Sequence, residues 1–195
     1  MNNCQHPLIE AAAQGTLPEW AAVSPGRRAH MARVSELLDA WAAALGLPES
    51  ERCRWRAAGF LHDALREVAP DALRAKVPRA QSSLPGPILH GPAVAERLRA
   101  QGVLDGELLF ALAYHTLGNA SLGTLGRALY VADFLEPGRD FMPEWREGLR
   151  ARMPAELDSV TREIVGARIR YVVDRGLEEP EALRTDHAGN QQQGR

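Results

Sequence analysis

The stretch that most restricts the fold runs from Ser24 to Gly46. Ser24-Pro25 has the form of a helix N-cap followed by proline at the first helical position. Met31, Val34, Leu37, Leu38, Trp41 and Leu45 then recur at helical spacing until Gly46 ends the run. A stripe of this kind has to be laid against other apolar surface, and the chain beyond it supplies more helices. Pro48 opens a second one that carries Trp55, Phe60 and Leu61 and ends near His62-Asp63. Residues 71–76 read as a short helix. The loop QSSLPGPILHGP delivers His90 ahead of a helix from about Pro92 to Gln101. Asp105 caps a helix that reaches His115, and HTLGNASLG is again a loop. GTLGRALYVADFLEP reads as a helix stopping at Pro137, although YVADF taken by itself has strand propensity. Helices are expected at about 143–152 and 155–175, the latter with Leu157, Val160, Ile164, Val165, Ile169 and Tyr171 at helical spacing. With no hairpin signal, internal repeat or heptad array, the expected class is all-α, an orthogonal or mixed helical bundle. The expected organisation is an N-terminal helix or extension over 1–20, one domain over 21–180 and a polar, disordered tail over 181–195.

Composition narrows the function. The formal net charge of the 195 residues is −2, so no global basic field argues for nucleic acid. No apolar run approaches the roughly 18 residues of a membrane span, and the start MNNCQHPLIEAAAQ lacks the basic and apolar regions of a signal peptide. A soluble, cytoplasmic protein without membrane or nucleic-acid partners is expected. Cys4 and Cys53 are far apart and form no CxxC, which reads as two unpaired thiols. Lys76 is the single lysine; the other basic residues are arginine, a compositional bias.

Chemistry enters with GFLHDALRE, where His62 stands beside Asp63. By chance such a pair arises in roughly one chain of this composition in four, so alone it means little. The other histidines change its weight. Outside the terminal segments they are His30, His62, His90 and His115, each on a different helix or helix–loop junction and 25–32 residues apart, about one helix and its return. All four can therefore converge on one end of a bundle. Asp133 lies in the apolar run ALYVADFL, where a carboxylate needs a charge partner or a metal. Imidazole and carboxylate suit Fe, Mn, Zn or Co. Four histidines and two aspartates can hold two ions if one carboxylate bridges them, and Asp63 is the natural bridge. Two such ions activate water and stabilise an in-line displacement at phosphorus.

With these residues the sequence resembles the HD-domain metal-dependent phosphohydrolases, whose ligand order is His … His-Asp … Asp with two extra histidines in the binuclear members, an order that reads here as His30, His62-Asp63, His90, His115 and Asp133. It resembles most the YqeK-type branch, the symmetrical bis(5′-nucleosyl)-tetraphosphatases, through RRAHMARV, AAGFLHDALRE, ILHGPAVA, YHTLGN and YVADFLEPGRDF over about residues 20–175. The resemblance implies an all-α HD-domain bundle and one or two divalent ions, iron or else Mn, Co or Zn. It implies symmetrical hydrolysis of diadenosine tetraphosphate to two ADP by a metal-activated hydroxide. His30, His62, Asp63 and Asp133 would hold one ion, and Asp63, His90 and His115 the second. A single ion, with His90 and His115 on phosphate, is the alternative. Asp63 and Arg66 are the expected catalytic residues.

Arg139, Arg66, Thr116, Gly118 and Arg27 are the expected substrate contacts. Glu136 would accept a hydrogen bond from a ligand histidine, and Trp41 and Trp55 belong to the core. Arg66 replaces the lysine usual in the HD-x-x-Lys pattern, keeping charge but not the point geometry of an ammonium. The nucleotide substrate is the expected partner, and a homodimer stays open. Other readings stand beside this one: an HD phosphohydrolase for a nucleoside monophosphate, guanosine tetraphosphate or a cyclic dinucleotide, or a non-catalytic nucleotide-binding regulatory domain.

Overall fold

A computed structural model of the chain describes residues 6–174; the tail expected at 181–195 lies outside them. The described residues form helices and turns without a strand, an all-α bundle. In chain order the α-helices are α1 (Pro7–Ala13), α2 (Pro25–Ala44), α3 (Glu49–Leu61), α4 (Pro70–Arg74), α5 (His90–Ala100), α6 (Gly106–Tyr114), α7 (Thr124–Leu135), α8 (Pro143–Arg152) and α9 (Leu157–Asp174). Two short 3-10 turns, Arg79–Gln81 and Gly86–Ile88, join α4 to α5.

The caps account for the helix starts. Ser24 Oγ accepts from the Arg27 amide at 3.2 Å, and the Glu67 carboxylate accepts from both the Ser24 amide and its hydroxyl. Asp105 accepts from the Leu108 amide at 3.0 Å and holds Arg54 of α3 through both of its oxygens. α5 begins at His90 rather than at Pro92, because proline costs nothing in a first turn whose amides have no intrahelical acceptor. YVADF is helical despite its strand propensity. It lies in α7, a helix buried on nearly every side between α2, α3, α6 and α9, where packing overrides propensity.

The core is continuous. Met31, Val34 and Leu38 of α2, Ala57, Ala58 and Leu61 of α3, and Ile9 and Ala12 of α1 belong to one buried cluster, with α3 packed against both α1 and α2. Trp41 and Trp55 are buried in it, and each fully buried leucine or valine contributes about 1.5–3 kcal/mol. Two expectations fail. Tyr171, counted with the inner stripe of α9, is 56% exposed. Cys53 is disulfide-bonded, not an unpaired thiol. No helix among the described residues is long and apolar enough to cross a membrane.

Candidate metal centre

Two glycines let the helices that carry the site approach closely. A Cβ on Gly59 of α3 would lie 2.5 Å from the Ser35 Cα of α2, so only glycine permits this α2–α3 contact. A Cβ on Gly91 of α5 would lie 2.7 Å from the Leu112 carbonyl oxygen of α6. The first contact brings His30 of α2 to His62 at the end of α3. The second brings His90, the first residue of α5, to His115 just beyond α6.

The four rings are buried, and each turns Nδ1 outward and Nε2 toward the others. The Nδ1 atoms of His62, His90 and His115 face the carbonyl oxygens three residues earlier, those of Gly59, Pro87 and Leu112, at 2.8, 2.9 and 2.8 Å. His30 Nδ1 faces Glu136 Oε1 at 3.3 Å. Each Nδ1 thus has an acceptor and carries the proton, and each Nε2 presents a lone pair inward. His30 Nε2 lies 3.3 Å from His62 Nε2, and His90 Nε2 lies 3.1 Å from His115 Nε2. Lone pairs facing each other at such distances repel unless a cation or proton lies between them.

The carboxylates complete the set. Asp63 turns Oδ1 to His90 (3.0 Å) and His115 (3.6 Å) and Oδ2 to His62 (3.6 Å) and His30 (3.7 Å). Asp133 Oδ1 is 3.1 Å from His30 Nε2 and 3.8 Å from His62 Nε2. Three groups of ligand atoms have mutual separations within 4.8 Å: His30, His62 and Asp63; His62, His115 and Asp133; and Asp63, His90 and His115. This donor set fits one or two borderline divalent cations, with Asp63 shared between the two histidine pairs.

The electrostatics favour ionised aspartates and neutral His62 and His90, with His115 shifted the other way. Burial pushes the Asp63 carboxyl up, but the imidazoles of His62, His115 and His90 outweigh it and hold it far below the usual range. Asp133 is likewise pushed up by burial and pulled further down by His30, His62 and Arg139. Burial drives His62 down to about 4 and also lowers His90. Burial lowers His115 too, yet Asp63 and Asp133 outweigh it and raise its pKa. Glu136, behind His30, accepts from Arg33 Nε at 2.6 Å and from the Gly138 amide at 2.9 Å, and these partners overcome its burial and keep it ionised.

A cavity of about 320 Å³ opens onto these residues. Asp63, His90, His115 and Asp133 line it, with Arg27, Arg66, Thr116 and Arg139 from the expected substrate contacts. Thr116 Oγ1 lies 3.0 Å from His115 Nε2. Arg27 donates to Asp63 Oδ2 at 2.7 Å and Arg139 to Asp133 Oδ1 at 2.6 Å. Gly118 is not in the lining. It closes α6 with a left-handed φ of 77°, its amide donating to the Tyr114 carbonyl, a turn role.

Sequence reasoning missed Phe134, Phe141 and Arg168 in the lining. It also missed Arg146, which is fully buried. Arg146 donates to the carbonyls of Phe134 and Glu136 at 2.7 Å, and to that of Arg139, while its guanidinium lies over the Phe141 ring at 4.7 Å. A cation on these carbonyls suits the negative end of α7 and holds the turn that carries Arg139 to the cavity. One signal was available for both missed arginines: Arg168 is four residues from Ile164 and Arg146 three from Leu149, so each is a charge on a buried helical stripe.

The model of the HD domain family matches residues 27–138, more than half of the chain and a span containing all six candidate ligands, so the chain belongs to that family. Among curated proteins it is 40% identical over 53 residues to "Bis(5′-nucleosyl)-tetraphosphatase, symmetrical" of Staphylococcus aureus (strain NCTC 8325 / PS 47), 27% of each chain. It is 42% identical over 53 residues to the protein of the same name from Bacillus subtilis (strain 168), 27% of this chain and 28% of the relative. The match thus spans about a quarter of the length of these relatives. A crystal structure described as a predicted HD superfamily hydrolase involved in NAD metabolism, from Clostridium acetobutylicum, superposes with a TM-score of 0.69. Its identity is 23% and the coverage 83% of this chain and 86% of that one, which shows the shared fold.

Proposed function

We propose that the protein is a cytoplasmic metal-dependent phosphohydrolase that cleaves diadenosine tetraphosphate and related dinucleoside polyphosphates symmetrically, giving two ADP. The observation that carries the reading is the convergence of four histidine Nε2 atoms on Asp63, whose two oxygens face different histidine pairs. Family membership supports the hydrolase class, and the short match to enzymes named as symmetrical tetraphosphatases supports the substrate.

His30, His62, Asp63 and Asp133 would hold one ion and Asp63, His90 and His115 a second, iron in the first instance or Mn, Co or Zn. When bound, such ions polarise a phosphoryl oxygen and make water a competent nucleophile near neutral pH. The chain's own residues do the rest. Asp63 stays ionised and sets the separation of the two histidine pairs. The Thr116 hydroxyl, beside His115 and His90, donates to a phosphoryl oxygen. Arg66 and Arg139 meet the charge that develops on the phosphates, since a guanidinium matches phosphate oxygens with a planar fork. In the balanced reaction water adds to the phosphorus on one side of the central P–O–P bridge. That bridging bond breaks, and the oxygen leaves with the second ADP.

The test is product analysis with diadenosine tetraphosphate and Mn or Fe(II). ADP as sole product is the expected result. AMP with ATP would overturn the cleavage position, and no turnover with any first-row ion would overturn the substrate.

A further inference from the structure

Four arginines and two aspartates line the cavity, and the arginines are not equivalent. Arg27 is bound to Asp63 and Arg139 to Asp133. Arg66 and Arg168 have no carboxylate or hydrogen-bond acceptor among the described residues. Arg66 follows α3, three residues after Asp63 of the ligand pair, and bears electrostatically on His90. Arg168 comes from α9, an element that carries no candidate ligand, and its half-buried guanidinium lies over the ring of Tyr130 at 5.2 Å. Tyr130 is itself buried in α7, three residues before Asp133, so stacking sets Arg168 against the ligand-bearing helix with no carboxylate partner among the described residues.

A half-buried cation with no counter-ion among the described residues, held by an aromatic face at the wall of a cavity, is arranged for an anion that arrives with the ligand. We propose that Arg168 forms a second anion subsite, which takes a phosphate of a polyphosphate chain beyond the one engaged at the candidate metal centre. Arg168 then discriminates long polyphosphates from single phosphates. The inference rests on the phosphohydrolase reading of the site and adds a specificity residue to it.

The test is calorimetric titration of the Mn-loaded full chain with inorganic tripolyphosphate and, separately, orthophosphate, in wild type, Arg168→Met and Arg168→Lys. Methionine keeps an unbranched stem over Tyr130 without the charge; circular dichroism checks that both variants keep the fold. The expected result is tripolyphosphate affinity about tenfold weaker in Arg168→Met, the size of one charge-assisted hydrogen bond, with orthophosphate changed less than about twofold and Arg168→Lys in between. Equal effects on both anions, no effect on either, or a wild type that binds tripolyphosphate no tighter than orthophosphate would overturn the subsite. Were Arg168→Met to unfold, an Arg168→Lys variant with wild-type affinity for both anions would show that the fork is not used, and the subsite would fall. The two anions are read without turnover, so a failure of the tetraphosphatase reading shows separately, as missing ADP.

Discussion

At the scale of single residues the site is a matter of protons and lone pairs. Three backbone carbonyls and Glu136 fix the tautomers of four histidines, and the shared Asp63 remains a carboxylate although buried. Asp63→Ala is expected to remove most bound metal and abolish turnover while circular dichroism shows the helical content retained; turnover at the wild-type rate would end the shared-ligand model. Glu136→Gln acts one step further out. It weakens the acceptor that orients His30 and is expected to lower metal affinity about 10–100-fold, measured by competition with a chelator. Of these residues the six ligand candidates were legible in the sequence, because His and Asp on apolar stripes stand out. Arg146 and Arg168 were not read as functional, since an arginine on a helix is ordinarily solvated; burial separates Arg146 from the rest, and its place in the cavity wall separates Arg168.

Among the elements, the close contacts of α2 with α3 and of α5 with α6 decide whether the histidine pairs form. Gly91→Ala would press its new methyl on the Leu112 carbonyl, the acceptor that orients His115 Nδ1. The expected outcome is a fall in bound metal at the His90–His115 side, with stability lower by about 1–3 kcal/mol; metal analysis and thermal melting check it. Gly46→Ala is the contrast: a Cβ there meets nothing within 4 Å, so the left-handed φ of 69° is the sole source of strain and metal content should not change. Helix order and approximate bounds could be read from periodicity, caps and Pro-Gly loops. The start of α5 at His90 could not, because proline is equally at home at the first and third positions of a helix.

For the molecule as a whole, the ligand cluster couples stability to pH. Burial places His62 at about 4 and lowers His90, so between that value and the ordinary ~6.5 of an imidazole the unfolded chain binds more protons and stability rises with pH. His115 has the opposite sign: its raised pKa contributes stability that is present below ~6.5 and is lost as pH rises through the folded value. The depressed Asp63 and Asp133 contribute above ~3.9 and lose that contribution as pH falls further. The thermal midpoint of chelator-treated protein is therefore expected to drop as pH is lowered from ~7 to ~5. A flat or rising profile would mean that the contribution of His115 outweighs those of His62 and His90. Adding back metal at about a thousand times its Kd should raise stability by about 4 kcal/mol.

The sequence by itself determined the class of fold and the identity of the ligand candidates. Helical periodicity demands a bundle, and polar residues on its apolar stripes demand partners. Only the tertiary structure decided how those partners are arranged: which oxygen of Asp63 faces which histidine pair, that Arg27 and Arg139 are engaged by the aspartates while Arg66 and Arg168 are not, and that Gly118 belongs to a turn and not to the cavity. The reason is that spacing along a helix sets the face a residue occupies, whereas charge pairing depends on distances across helices that meet only when the chain is packed.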